Sequence, residues 1–171
     1  MAVLASACLT EERTPLLPDP ASAANSTIVI DACGLFTAEE AASALGSPID
    51  GGSSSSSNDA LGHKVCLRTS TKADSEKVVR LSMIQTSTIS ASERKKGTTA
   101  ATEYSKAKTE AGKKPSGAAG VSGLGDTAFW DGVQLHILKG DTYATVRVGT
   151  EKAGNQTGAE AIARKATARL K

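Results

Sequence analysis

Thr127-Ala-Phe-Trp130, Val133-Gln-Leu-His-Ile-Leu138 and Thr142-Tyr-Ala-Thr-Val-Arg-Val148 are three apolar-rich runs separated only by Asp131-Gly132 and Lys139-Gly140-Asp141. Aromatic and β-branched side chains favour extended backbone, and Asp-Gly and Gly-Asp suit tight reversals, so the stretch reads as a three-stranded antiparallel meander. On its C-terminal side, Thr157-Gly-Ala-Glu160 has the spacing of a capping box and opens a helix. Ile162, Ala166 and Leu170 recur along that helix at the spacing of a single face, which turns toward the sheet.

The N-terminal side supplies the rest of the domain. Gly120-Val-Ser-Gly-Leu-Gly125 reads as a turn that delivers Asp126 and Trp130 into the sheet, and Gly112-Lys-Lys-Pro-Ser-Gly117 breaks the chain before it. A second capping box, Ser90-Ala-Ser-Glu93, starts a helical stretch to about Ala111 in which Ala100, Tyr104, Ala107 and Ala111 share a face and Gly97 is a weak point. Lys64-Val-Cys-Leu-Arg68 and Val79-Arg-Leu-Ser-Met83 alternate as strands, and the link from Thr71 to Glu76 makes them a hairpin. Thr37-Ala-Glu-Glu40 caps a helix that Gly46 and Pro48 end, with Phe36 at the staple position. Residues 51–58, Gly-Gly followed by five serines and Asn58, read as a disordered surface loop. Ile28-Val29-Ile30 is an edge strand or an apolar lead-in. The expected fold is therefore α+β, with an antiparallel sheet of about five strands, a hairpin plus the meander, and about three helices packed mainly on one face.

The 171 residues suit one domain, placed here at residues 28–171. Aromatic residues make up 3 % of the chain, so the core rests on Ala, Val, Leu and Ile, and the net charge of +2 argues against a nucleic-acid binder. No run approaches the ~20 apolar residues of a membrane span.

The N-terminus carries an address. Met1-Ala-Val-Leu-Ala-Ser-Ala-Cys8 is an apolar run with small residues before a cysteine, the pattern of a lipoprotein cleavage site, although no basic residue precedes it. Residues 1–8 thus read as the back half of a signal peptide, with Cys8 the lipidated residue. An incidental cysteine in a disordered N-terminus is the alternative. Residues 9–27, with Pro15, Pro18 and Pro20, read as a disordered tether with a reach of about 50–60 Å at about 3.3 Å per residue. The location implied is extracytoplasmic, lipid-anchored to the cell membrane, or else secreted.

Several of these segments together resemble an uncharacterised family of bacterial envelope lipoproteins, mainly actinobacterial and classed as a domain of unknown function. The likeness rests on Asp31-Ala-Cys-Gly-Leu-Phe-Thr-Ala-Glu-Glu40, a lone strand cysteine at Cys66, Gly123-Leu-Gly-Asp-Thr-Ala-Phe-Trp130, the run from Leu135 to Asp141 and the Ala-rich terminal helix. It spans about residues 31–170 and implies an exported domain with a cysteine pair and no established chemistry. In an oxidising compartment Cys33 and Cys66 pair as a disulfide; two buried thiols are the alternative. Cys66 is out of phase with Val65 and Leu67, so it lies on the face opposite them or both faces are partly covered.

No catalytic constellation emerges. His63 and His136, with Asp59 or Asp141, lack the tight spacing of a metal site, no Gly-x-Ser-x-Gly elbow is present, and the Gly120–Gly125 segment lacks a phosphate-loop lysine. Trp130 either fills the core or walls a binding groove with Phe129 and Tyr143. Arg94, Lys95, Lys96, Lys106, Lys108, Lys113 and Lys114 make one helical region basic, a solvated face or one drawn to anionic lipid or wall polymer. The expectation is a non-enzymatic, cofactor-free, monomeric binding or accessory module of the envelope, anchored to the membrane by lipid, whose partner is an envelope protein, a lipid or a small ligand. An extracytoplasmic hydrolase with an unrecognised site and a purely structural envelope component are the alternatives. A deep cleft lined by Trp130, Tyr143 and paired acids would favour the hydrolase, and an open sheet face would favour binding.

Overall fold

A computed structural model describes residues 29–50, 52–57, 59–72, 76–150 and 152–170. Cys8 and the tether lie outside them. The strands are β1 (Ser53–Ser56), β2 (Lys64–Thr69), β3 (Val78–Gln85), β4 (Ala119–Val121), β5 (Thr127–Trp130), β6 (Leu135–Lys139) and β7 (Thr142–Gly149), and all pair antiparallel in the order β1-β2-β3-β7-β6-β5-β4. The helices are a short 3-10 turn (Ala32–Leu35), α1 (Ala38–Leu45), α2 (Ala91–Lys95), α3 (Ala100–Gly112) and α4 (Gln156–Arg169). Two meanders, β1-β2-β3 and β4-β5-β6-β7, are thus fused through the β3–β7 pair. α2 and α3 carry the chain from one to the other.

The α+β class and the meander stand as expected, but the count rises from about five strands to seven and from three helices to four. Ser53–Ser56, expected as part of a loop, pairs with β2 as an edge strand. Serine has no apolar alternation to announce such a strand. Ala119–Val121 adds the opposite edge. The helical stretch from Ala91 breaks in two because Gly97 turns to φ 85°, after which Thr99 caps α3 afresh by accepting from the Thr102 amide.

A larger difference concerns the faces. The 3-10 turn, α1 and α4 cover one face, where Cys66, Leu81, Val146, Leu135 and Trp130 meet Phe36, Leu45 and Ile162. α3 lies on the other face, where Tyr104, Ala100 and Ala111 pack on Ile84, Phe129 and Tyr143. Helices therefore sit on both faces and not mainly on one, because α3 carries an apolar stripe of its own that needs a sheet to cover it. That second layer is incomplete: α3 packs on β6 and β7, whereas β2 packs chiefly on β1, β3 and the 3-10 turn.

Candidate functional site

Local sequence fixes the disulfide. Asp31 caps the 3-10 turn by accepting from the Cys33 amide, which sets Cys33 over β2, and the pleat of β2 sends Cys66 inward. Cys33 and Cys66 form a disulfide with Cα atoms 4.9 Å apart; Cys66 is fully buried and Cys33 half-buried, its Sγ 3.6 Å from the Ser53 carbonyl of β1. The phase conflict thereby resolves: Cys66 faces the core with buried Arg68, which stacks over Phe36, while Val65 and Leu67 face the other way and stay half-exposed.

Of the three aromatics considered for a groove, Phe129 and Tyr143 share the α3 face, and Trp130, next along β5, points to the opposite side. All three are buried and do not form one surface. Trp130 takes the core position and abuts Gly154, where an added Cβ would fall 2.7 Å from the ring. Phe129 and Tyr143 instead enclose His136, which stacks flat on Phe129 with ring centroids 4.3 Å apart.

Around His136 the polar groups of Asp131 and Tyr143 lie on either side of the ring. Asp131 Oδ1 accepts from the amides of Val133 and Gln134 at 2.9 and 2.8 Å, which shapes the β5–β6 turn, and its Oδ2 lies 3.3 Å from His136 Nε2, near but not aligned as a hydrogen bond. A carboxylate only accepts, so it selects the tautomer with the proton on Nε2, and Tyr143 donates its hydroxyl to Nδ1 at 2.7 Å. Burial lowers the His136 pKa against the opposing pull of Asp131, which keeps the ring neutral. Burial also works against the Asp131 charge, yet the two amides and His136 outweigh it and hold the carboxyl below its usual range. Tyr143 is raised, first by burial and then by the Asp131 charge. Tyr143 and Asp131 thus flank the His136 ring beneath α3, with Nδ1 hydrogen-bonded and the buried Nε2 near the carboxylate without a hydrogen bond.

The other sequence candidates scatter. Asp59 and His63 pair at 2.6 Å on an exposed turn, where Asp59 also accepts from the Leu61 and Gly62 amides; Asp141 belongs to the β6–β7 turn. Among the described residues, no group of three or more His, Cys, Asp or Glu is placed to hold a metal. On the basic helices Lys96, Lys106 and Lys113 each pair with a glutamate three residues earlier, and Lys114 reaches the buried Asp131 at 3.8 Å. The Gly123-Leu-Gly-Asp126 turn is structural: Leu124 is buried, Asp126 accepts from the Gly140 amide at 2.7 Å, and Gly125 sits against the Leu138 carbonyl.

Sequence reading missed a different group. Arg80 stands directly opposite Arg147 across β3 and β7, and Ser82 directly opposite Thr145, on the α3 face but beyond α3. The only signal was the polar half of two alternating strands, and the register that joins them is a tertiary property. Comparison with known proteins yields no match to a family model, to a curated protein or to a solved structure.

Proposed function

We propose that the chain is an exported, monomeric module of the bacterial cell envelope, anchored by lipid on Cys8, that binds an envelope component through its sheet and carries out no chemistry of its own. The observation that carries this reading is the second face, on which Val65, Leu67 and Val78 are only partly buried beside Arg80 and Arg147 and, among the described residues, no helix packs closely over β2. Burying a half-exposed sheet surface against a partner is the ordinary use of such a face. The Cys33–Cys66 bond adds support, because structural disulfides persist in oxidising compartments. So does the resemblance of residues 31–170 to envelope lipoproteins. Intact-mass and peptide mass spectrometry of the protein taken from its native membrane tests the proposal: acyl chains on Cys8 and a linked Cys33–Cys66 peptide are expected. A cytosolic product with an unmodified Cys8 and free thiols overturns it.

A further inference from the structure

We infer that α3 is an acid-released cover: protonation of His136 beneath it frees the helix from the sheet, on hinges at Gly97 and Gly117, while the sheet itself stays folded. Such a cover works with any partner of the sheet and does not rest on the envelope reading.

The hold of α3 is slight. Of its 13 residues only Ala100, Tyr104 and Ala111 are buried, so Tyr104 is the one large side chain that fastens it. Its ring stands edge-on to Phe129 and Tyr143, with centroids 5.4 and 5.9 Å away, and its hydroxyl pairs with that of Thr127 at 3.0 Å. The Ala100 amide donates to Thr86 Oγ1 at 3.0 Å, and beyond the helix the Ser116 hydroxyl donates to the Asp131 carbonyl at 2.7 Å. Gly97 and Gly117 flank the segment at φ 85° and 65°, and a Cβ at either would meet nothing within 4 Å, so both can turn without a clash. The strand pairings and the opposite core, where α1 and α4 pack, do not depend on α3.

His136 is joined to that single anchor through both of its aromatic neighbours. It stacks on Phe129 and accepts from the Tyr143 hydroxyl, the same two rings that Tyr104 touches. A second proton on the ring goes to Nδ1, where the Tyr143 hydrogen already points, so Tyr143 must turn its hydrogen away inside a buried cluster. The new charge is also cut off from water, and Nε2 makes no hydrogen bond that would spread it. The charged and titratable groups around the ring pull both ways. Asp131, on the β5–β6 turn, favours the proton, and Lys114, after α3, opposes it. Glu103 and Tyr104 of α3 face Tyr143, and Arg147 lies two positions beyond Thr145, the strand partner of His136. Burial outweighs Asp131, so the covered ring takes a proton less readily than a hydrated one. Lifting α3 admits water to the ring, and acid therefore favours the lifted state. Release bares Ile84, Phe129 and Tyr143, which extends the partly buried face of β2 and β3 across β6 and β7.

Native-state hydrogen exchange of the oxidised full chain at pH 7.5 and 5.5, with intrinsic exchange rates factored out, tests the cover. A helix this short is marginal once undocked, so its amides report release. They should open more readily than those at the centre of β7, and with little dependence on low urea, because release exposes less surface than unfolding. Their opening should rise several-fold at pH 5.5, up to the ceiling of about tenfold set by a group whose hydrated value is 6.5. His136→Gln, which takes no proton there, should lose the rise. Protection of α3 equal to that of β7 with the same urea dependence overturns the inference, as does an undiminished rise in His136→Gln. Should that variant not fold, the NMR titration of His136 in the wild-type chain decides: a native midpoint below that of the urea-unfolded chain is expected, and one equal to or above it overturns the inference.

Discussion

His136 is buried, with Nδ1 bonded to Tyr143 and Nε2 near Asp131, and that burial gives the fold a directional response to acid. Burial favours the neutral imidazole, so the folded chain binds the proton less readily than the unfolded chain, whose histidine keeps the ordinary value of 6.5. As pH falls below about 6.5, the unfolded state gains its proton first and stability drops. Asp131 acts in the same direction at lower pH: its depressed pKa supplies stability above the ordinary carboxylate range that is lost as the folded group protonates. The urea midpoint should therefore fall between about pH 7 and about pH 5.5, and by less in His136→Gln, which keeps an acceptor for Tyr143 but cannot take up the proton. Equal falls in the two proteins would place the response elsewhere. Little of this arrangement was legible beforehand. The strand pattern located His136 and Tyr143 on β-rich runs, but only the β6–β7 hairpin register sets them on one face beneath α3.

Signals that depend on near neighbours in sequence translated well into helices and turns, and signals that depend on distant pairing did not. Thr37 and Glu40 form the complete reciprocal cap read from their spacing, and Gly46 ends α1 in the left-handed conformation at φ 66°. Ser90 caps α2 as expected, although Glu93 turns to Lys96 and Thr98 and leaves that box half-made. At α4 the cap moves back to Asn155, which follows the Gly149–Gly154 bridge and accepts from the Gly158 amide at 2.9 Å. Two glycines separate local from tertiary demands. Gly46 and Gly125 have similar positive φ, 66° and 57°, but a Cβ at Gly46 meets nothing within 4 Å, whereas one at Gly125 would lie 2.4 Å from the Leu138 carbonyl. Gly46→Ala should cost about 1–2 kcal/mol, the backbone term alone. Gly125→Ala must add displacement of the Gly123–Asp126 turn from β6, so its loss in chemical denaturation should be clearly larger. Similar losses would show that the turn yields without cost.

The fused meanders divide the domain into two unequally covered halves, a property that composition and periodicity could not convey. β6 and β7 are sandwiched between α4 and α3, while β1 and β2 have the 3-10 turn on one side and, among the described residues, no helix packed closely on the other. Seen along a single strand, the half-exposed Val65 and Leu67 look as well suited to a core as Val146 and Val148. Only the position of α3 distinguishes them. The thinly covered half is also the one fastened by Cys33–Cys66, which closes a 33-residue separation and, on the chain-entropy model, contributes about 4 kcal/mol by restricting the unfolded chain. Local stability should track this division. In native-state hydrogen exchange, amides at the centre of β3 and β7 should be slowest, and those of β1, an edge strand in which Ser53, Ser54 and Ser55 are exposed, should be fastest among the strands. The double variant Cys33→Ser/Cys66→Ser should lose about 2–5 kcal/mol in global stability. Beyond that uniform loss it should show an added acceleration in the 3-10 turn, β1 and β2, because the bond holds the 3-10 turn, and with it the Ser53 contact, against β2. The Phe129–His136–Tyr143 cluster beneath α3 touches neither cysteine, so the slow amides of β6 should fall only by the global amount. Uniform acceleration across both halves would mean that the disulfide acts solely on the unfolded chain and that the sheet opens as one unit.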